Sequence, residues 1–249
     1  MKTVRAYFEG NDDKAILEAL ARVRLLPNGL ELAKRDPEKG GKDGLVNELW
    51  PFVSPTGVGG RAVVLVDYDD LTTDGLGDWF LNQLREKAKN EVVVEVTAGS
   101  HPRLRSFRLV AEARVGAVVL CPVGLPEDAE LKSEYGLEKF AMDEYPLRVV
   151  RHERAYTTTK DMRSLPHAKA LLKMTEVGDL FRKNGIDVTK SKTYLQIVRA
   201  AALIRPSTAV IYQRLVEAAA GALPPDEFRQ LMSPLIDDIH EAVRLLTTP

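Results

Sequence analysis

Two stretches concentrate carboxylates directly after apolar, β-branched runs. Val63-Val64-Leu65-Val66 runs into Asp67-Tyr68-Asp69-Asp70, and Thr3-Val4-Arg5-Ala6-Tyr7-Phe8 runs into Glu9-Gly10-Asn11-Asp12-Asp13. Each reads as a strand ending in acid, the first as a central strand covered on both faces. In open parallel sheets, function gathers beyond the carboxyl ends of the strands. Carboxylates crowded at one such edge repel one another unless protons or a cation compensate. An oxygen-only donor set without histidine suits Mg²⁺ (or Mn²⁺) better than Zn²⁺. Held there, such an ion is suited to phosphate chemistry, where it neutralises phosphate oxygens and lowers the pKa of a bound water. The plain alternative is that these acids cap the following helices and solvate turns.

The elements that would position these acids alternate through residue ~124. After the first strand, Ile16, Leu17, Leu20, Ala21 and Val23 recur at helical spacing as far as Leu26, and Pro27-Asn28-Gly29 stops that helix. Leu30–Lys34 is a short second strand and 36–44 a charged loop. One or two helical turns are expected over 45–53. Pro55-Thr56-Gly57-Val58-Gly59-Gly60 is a bend rather than a phosphate loop, because its glycines precede a strand and no Lys-Ser/Thr follows them. Leu76, Trp79, Phe80 and Leu84 mark an amphipathic helix to about Lys89. Strands are expected over 92–96, 107–110 and 115–120. The pattern is that of an α/β protein with a Rossmann-like, largely parallel sheet flanked by helices. From Pro126 onward strand signals fade. Helices are expected over 136–142, 165–184, 191–203, 207–221 and 225–247, with Ser207 and Asp226 at N-cap positions. The division is therefore an α/β domain over 1–125 and a helical C-terminal region over 126–249.

Bulk composition excludes more than it assigns. The chain has 249 residues, 45% hydrophobic and 29% charged, with a formal net charge of −1, which describes an ordinary globular protein. One cysteine excludes an intrachain disulfide, and with four scattered histidines no zinc pattern forms. No signal-peptide core and no apolar run of membrane-spanning length is present, so a cytoplasmic protein without membrane contact is expected. Charge is distributed unevenly: residues 151–205 carry 12 Lys and Arg against 5 Asp and Glu, beside an acidic body. Such a segment suits an anionic partner, although a solvated helix face would read the same way.

Glu9-Gly10 followed by Asp13, together with Asp67-Tyr68-Asp69, resembles the TOPRIM pattern of topoisomerases and primases, in which a strand-end Glu-Gly precedes a strand-end Asp-x-Asp. The nearer likeness is to small TOPRIM-like, nuclease-related proteins whose first motif reads Glu-Gly-x-x-Asp and whose sheet continues into a helical tail. Leu137-Glu138 lies where that group has a Leu-Glu segment after its last strand. The likeness covers about residues 3–125. It implies that Glu9, Asp67 and Asp69 are catalytic carboxylates that hold Mg²⁺ (or Mn²⁺), that Asp13 is a further metal ligand, and that Gly10 lets the backbone approach a phosphate. Asp12 and Asp70 are extra acids, and Tyr68 points away from Asp67 and Asp69 by strand alternation. No catalytic tyrosine in a topoisomerase-like setting, zinc ribbon or helicase-type phosphate loop accompanies these motifs, so the expected activity is a Mg²⁺-dependent nuclease or phosphodiester-transfer reaction on DNA or RNA.

In the basic segment, Lys169, Lys173, Lys192 and Arg199 are the expected phosphate contacts, and Tyr156, Phe181 and Tyr194 are candidates for base stacking. Nucleic acid is the expected partner. An ATPase acting in trans is a further candidate partner, and oligomerisation is left open. The alternative is a non-catalytic TOPRIM-like module that binds nucleic acid or protein.

Overall fold

The computed structural model describes residues 3–34, 41–97, 101–152, 174–186, 188–201 and 208–248. Its centre is a six-stranded sheet of β1 (Val4–Tyr7), β2 (Leu30–Leu32), β3 (Arg61–Asp67), β4 (Val93–Thr97), β5 (Arg105–Ala111) and β6 (Arg114–Val123), in the order β2-β1-β3-β6-β5-β4. The pairs β1–β2, β1–β3 and β3–β6 are parallel, whereas β5 runs antiparallel to both β4 and β6. The sheet is thus mostly parallel with one reversed strand. The described helices are α1 (Asn11–Arg22), α2 (Gly41–Val53), α3 (Thr73–Ala88), α4 (Ala129–Tyr135), α5 (Glu144–Arg151), α6 (Met174–Lys183), α7 (Ser191–Ala201), α8 (Thr208–Ala222), α9 (Pro225–Leu231) and α10 (Leu235–Thr247).

Strand β3 is covered on both faces, as its unbroken apolar run requires. Ala62, Val64 and Val66 pack with Leu45, Leu49 and Val53 of α2 and with Leu76, Phe80 and Leu84 of α3. Val63 and Leu65 face the other way, into a larger cluster with Ile16, Leu17 and Leu20 of α1, Tyr212 and Val216 of α8, and Ile236, Ile239 and Val243 of α10. The C-terminal helices therefore form one layer of the α/β structure. A fully buried aliphatic side chain contributes roughly 1.5–3 kcal/mol, so this layer supplies a large part of the driving force for folding.

Several element expectations need correction. The charged loop over 36–44 is shorter than expected, because α2 already begins at Gly41; residues 35–40 lie outside the described set. The helix expected over 136–142 is absent. These residues instead form the connection between two helices, α4 and α5. The first, N-capped by Asp128, ends at Tyr135 with Gly136 as its left-handed C-cap (φ 61°), and the second opens after Asp143. The single helix expected over 225–247 is divided into α9 and α10 around Ser233-Pro234, and Pro224 rather than Asp226 takes the N-cap position. Ser207 and all of 165–173 lie outside the described residues. At the Pro55–Gly60 bend the glycine has a packing role: a Cβ on Gly60 would meet the Phe52 ring at 2.5 Å.

Candidate functional site

The parallel register of β1 on β3 pairs Ala6 with Val63 and Tyr7 with Val64, so Glu9 and Asp67 both emerge at the carboxyl edge. There the Asp67 backbone N–H donates to Glu9 Oε1 at 2.9 Å. Gly10 is the N-cap of α1 in an extended conformation, and its N–H donates to Asp13 Oδ2 at 2.8 Å. Asp13, at the third helical position, thus makes the return half of a capping box and is buried beneath the edge. The capping role considered for this acid in the sequence is met, and the same side chain still belongs to the acidic group.

A strap over residues 137–143 closes this edge. Asp69 and Phe140 exchange backbone hydrogen bonds of 2.7 and 2.8 Å, and the Glu138 and Lys139 N–H groups donate to Thr189 O. The Met142 N–H donates to Asp67 Oδ1 at 3.0 Å. Glu144 anchors the strap from below, fully buried, where it accepts hydrogen bonds from the Leu125 and Ala141 N–H groups and from the Ser191 hydroxyl. Gly124 makes the close approach possible: its φ is 122°, and a Cβ there would stand 2.8 Å from Ala141 N. Leu137 is buried and Glu138 exposed, so the buried acid of this segment is Glu144, six residues further on.

The strap also delivers Asp143, which sequence reading missed. Its position at the start of an apolar run that becomes α5 is an N-cap signal, and nothing local in that signal places it beside Glu9 and Asp67. Asp13, Glu9, Asp67 and Asp143 repel one another. Burial pushes the Asp13 carboxyl up to about 7; the Gly10 N–H opposes the rise and Asp143, Glu9 and Asp12 add to it. Burial, and then the charges of Asp13, Glu9 and Asp143, hold Asp67 well above the usual carboxylate range against the Met142 N–H. Asp143 is raised chiefly by burial, against the nearby Tyr212 hydroxyl and Lys192. Asp143 Oδ1 and the fully buried Tyr212 hydroxyl each lack a well-formed hydrogen bond.

Asp69 is placed differently. It sits in the left-handed region, at φ 50°, which Asp tolerates better than most residues and which turns its side chain outward. There Lys42 Nζ lies 2.9 Å from Oδ2 and Lys190 Nζ 3.9 Å from Oδ1. Asp12 takes Lys192 Nζ at 2.6 Å, so Lys192 is an acid partner here rather than an open phosphate contact. Burial draws the Lys192 ammonium down, but its bond to Asp12 and the charges of Asp143, Asp12 and Asp13 outweigh this and raise it. Asp70 is exposed; Tyr68 lies past the end of β3 and, against the alternation expected for it, is buried in the cluster of Val63 and Leu65 with its hydroxyl against that of Thr73. Arg199 lies on α7; Lys169 and Lys173 lie outside the described residues, as does Tyr156. Tyr194 is not a stacking surface, because it is fully buried with its hydroxyl on Tyr135 O, and Phe181 packs against the same core.

Among the described residues, no three His, Cys, Asp or Glu side chains stand as a ready set of metal donors. In kind, the donors do suit a hard divalent ion: desolvated carboxylate oxygens, mutually repelling, without histidine or thiolate. As the side chains stand, Asp69 is engaged by lysines instead of joining Glu9 and Asp67. No helix among the described residues is long and apolar enough to cross a membrane.

Fold and site together define an α/β protein with a mostly parallel mixed sheet, helices on both faces and a cluster of acids at the carboxyl edge. The chain is similar in fold to the hypothetical protein PH0156 from Pyrococcus horikoshii OT3, with a TM-score of 0.57 and 15% sequence identity over 98% of this chain and 99% of that one. No known family profile matches the sequence, and no curated protein does.

Proposed function

We propose that this protein is a TOPRIM-like, Mg²⁺- or Mn²⁺-dependent nuclease or phosphodiester-transfer enzyme acting on DNA or RNA. The observation that carries the reading is the meeting of Glu9 and Asp67 at the ends of adjacent parallel strands, joined through the Asp67 N–H, with Asp13 desolvated beside them. Crowded negative charge of this kind is expensive without a cation, and it lies where α/β sheets bind ligands. Glu9 and Asp67 would hold the ion, with Asp13 beneath them and Asp69 recruited from its lysines. When bound, the ion supplies charge neutralisation on phosphate oxygens and an acidified water. Glu9 would then accept a proton at Oε, Gly10 would leave room for a phosphate above the start of α1, and the strap would limit water access from the β6 side.

A second reading, a non-catalytic TOPRIM-like module that binds nucleic acid or a protein such as an ATPase in trans, is favoured by one observation. The lysines that occupy Asp69 keep it from the other carboxylates. Incubation of labelled single-stranded, duplex and structured DNA and RNA with Mg²⁺ or Mn²⁺ separates the two. The nuclease reading expects cation-dependent cleavage that Glu9→Gln and Asp67→Asn abolish. It fails if no substrate is cut, or if these variants cut as well as the wild type.

A further inference from the structure

The sheet ends in β2 on one side and β4 on the other, and the two edges differ. β2 is three residues long and its central Glu31 is paired with Arg5 of β1. β4 pairs with β5 one to one over five successive residues, without a bulge or a proline. Its single charge, Glu95, is met from β5 by Arg108 at 3.4 Å. On its outer side the β4 backbone hydrogen-bonds to no other described element. Val92, just before the strand, and Val94 pack with the cluster under α2 and α3, whereas Val93 is 61% exposed and Val96 53%. Val93, Val110 and Val115 stand side by side across β4, β5 and β6, so the bare edge begins an apolar row. An unguarded, valine-rich edge of this kind is a template for a further strand.

We propose that β4 pairs antiparallel with β4 of a second copy of this chain, about a two-fold axis through Val94, and so joins two sheets edge to edge. Around that residue the valines read alike in both directions. Antiparallel pairing sets Val94 opposite Val94 and Val92 opposite Val96 on one face, and Val93 opposite Glu95 on the other. No like charges stand opposite. Moving the axis to Val93 would set Glu91 against Glu95, and moving it to Glu95 would set two Glu95 carboxylates face to face. Like charges directly opposite are destabilising, so charge and apolar matching select the same register. A two-fold contact is self-complementary, and a pattern that reads alike in both directions is what such a contact requires. The axis stands normal to the sheet, so the two carboxyl edges point to opposite ends of the pair and the acids of each come from one chain. Dimerisation is therefore independent of the reaction proposed for those acids. One strand pair is a small interface, and a dissociation constant of about 10 µM is expected.

Sedimentation velocity of the full chain from about 1 to 100 µM tests this, and wild type is expected to pass from one-chain to two-chain mass across that range. Val93→Glu sets a carboxylate opposite Glu95 of the second copy at two symmetric positions and is expected to weaken association about tenfold or more. Val93→Lys sets an ammonium there instead and is expected to retain the dimer. Val58→Glu, the same change at an exposed valine of the Pro55–Gly60 bend, is expected to leave the mass unaltered. Oxidation of Val94→Cys reads the register, because residues directly opposite in an antiparallel pair stand about 4.5–5.5 Å apart at Cα, within disulfide reach. A two-chain band is expected on a non-reducing gel, and none from wild type, whose only cysteine, Cys121, is fully buried. The pairing is overturned if wild type keeps one-chain mass at about 100 µM, ten times the expected dissociation constant, which would leave β4 to a strand of another protein. It is equally overturned if Val93→Glu associates like Val58→Glu, if Val93→Lys dissociates as fully as Val93→Glu, or if Val94→Cys forms no cross-link.

Discussion

Replacing Asp13 by Asn tests the electrostatics of the edge without touching its hydrogen bonding. The Asn amide oxygen can still accept the Gly10 N–H that Asp13 Oδ2 takes at 2.8 Å, while the charge that burial and the neighbouring acids oppose is gone. With its folded-state pKa raised to about 7, against roughly 3.9 for an unfolded chain, the native protein keeps a proton that the unfolded chain has released. A raised carboxyl contributes stability that is fully present below pH ~4 and is lost as pH rises through ~7. Three pH units correspond to about 4 kcal/mol for Asp13 alone. That is a ceiling, since Asp67 shares the same repulsion, and roughly half of it is a reasonable expectation. For a chain of this length, about 2 kcal/mol moves the melting temperature by roughly 4–8 °C. Thermal denaturation in EDTA should therefore show Asp13→Asn more stable than wild type by that amount at pH 8, with the difference shrinking toward zero near pH 4. A variant less stable than wild type at pH 8, or equally shifted at every pH, would refute the account. It would show that Asp13 acts as a cap whose charge is harmless.

Further outcomes follow from the same geometry. Mg²⁺ should raise the wild-type melting temperature more at pH 8 than at pH 5, because a cation and protons compensate the same carboxylates; an equal effect at both pH values would count against cation binding at this edge. Glu144→Ala removes the acceptor for the Leu125, Ala141 and Ser191 donors and leaves them buried, so chemical denaturation should show a loss of about 2–4 kcal/mol, with faster amide exchange at Met142. Gly124→Ala places a Cβ against Ala141 N at a φ of 122° and should cost about 1–3 kcal/mol in the same assay. Leu65→Ala, in the layer between β3 and the C-terminal helices, should cost about 2–5 kcal/mol and unfold sheet and tail in one transition.

The sequence by itself determined the central strand and its acid. Val63–Val66 has too many consecutive apolar side chains for a strand with a wet face, and the structure buries both. Glu9 after β1 and Asp67 after β3 were equally readable, since a strand end followed by a helix start is encoded within a dozen residues. Tertiary structure alone decided which acids lie together. Asp143 and Glu144 are remote in sequence, and they reach the edge because a strap pairs with Asp69 just past β3 and Gly124 lets it approach. The same holds for Lys42, Lys190 and Lys192, whose spacing along the chain carries no sign of the carboxylates they meet. Local periodicity reports which face of an element is buried, whereas the contacts between elements depend on how far apart in sequence the fold can reach. For that reason the strand-end acids could be found in the sequence, but their repulsion, their lysines and the raised proton affinity of Asp13 arise only when burial removes water from groups that the chain brings together.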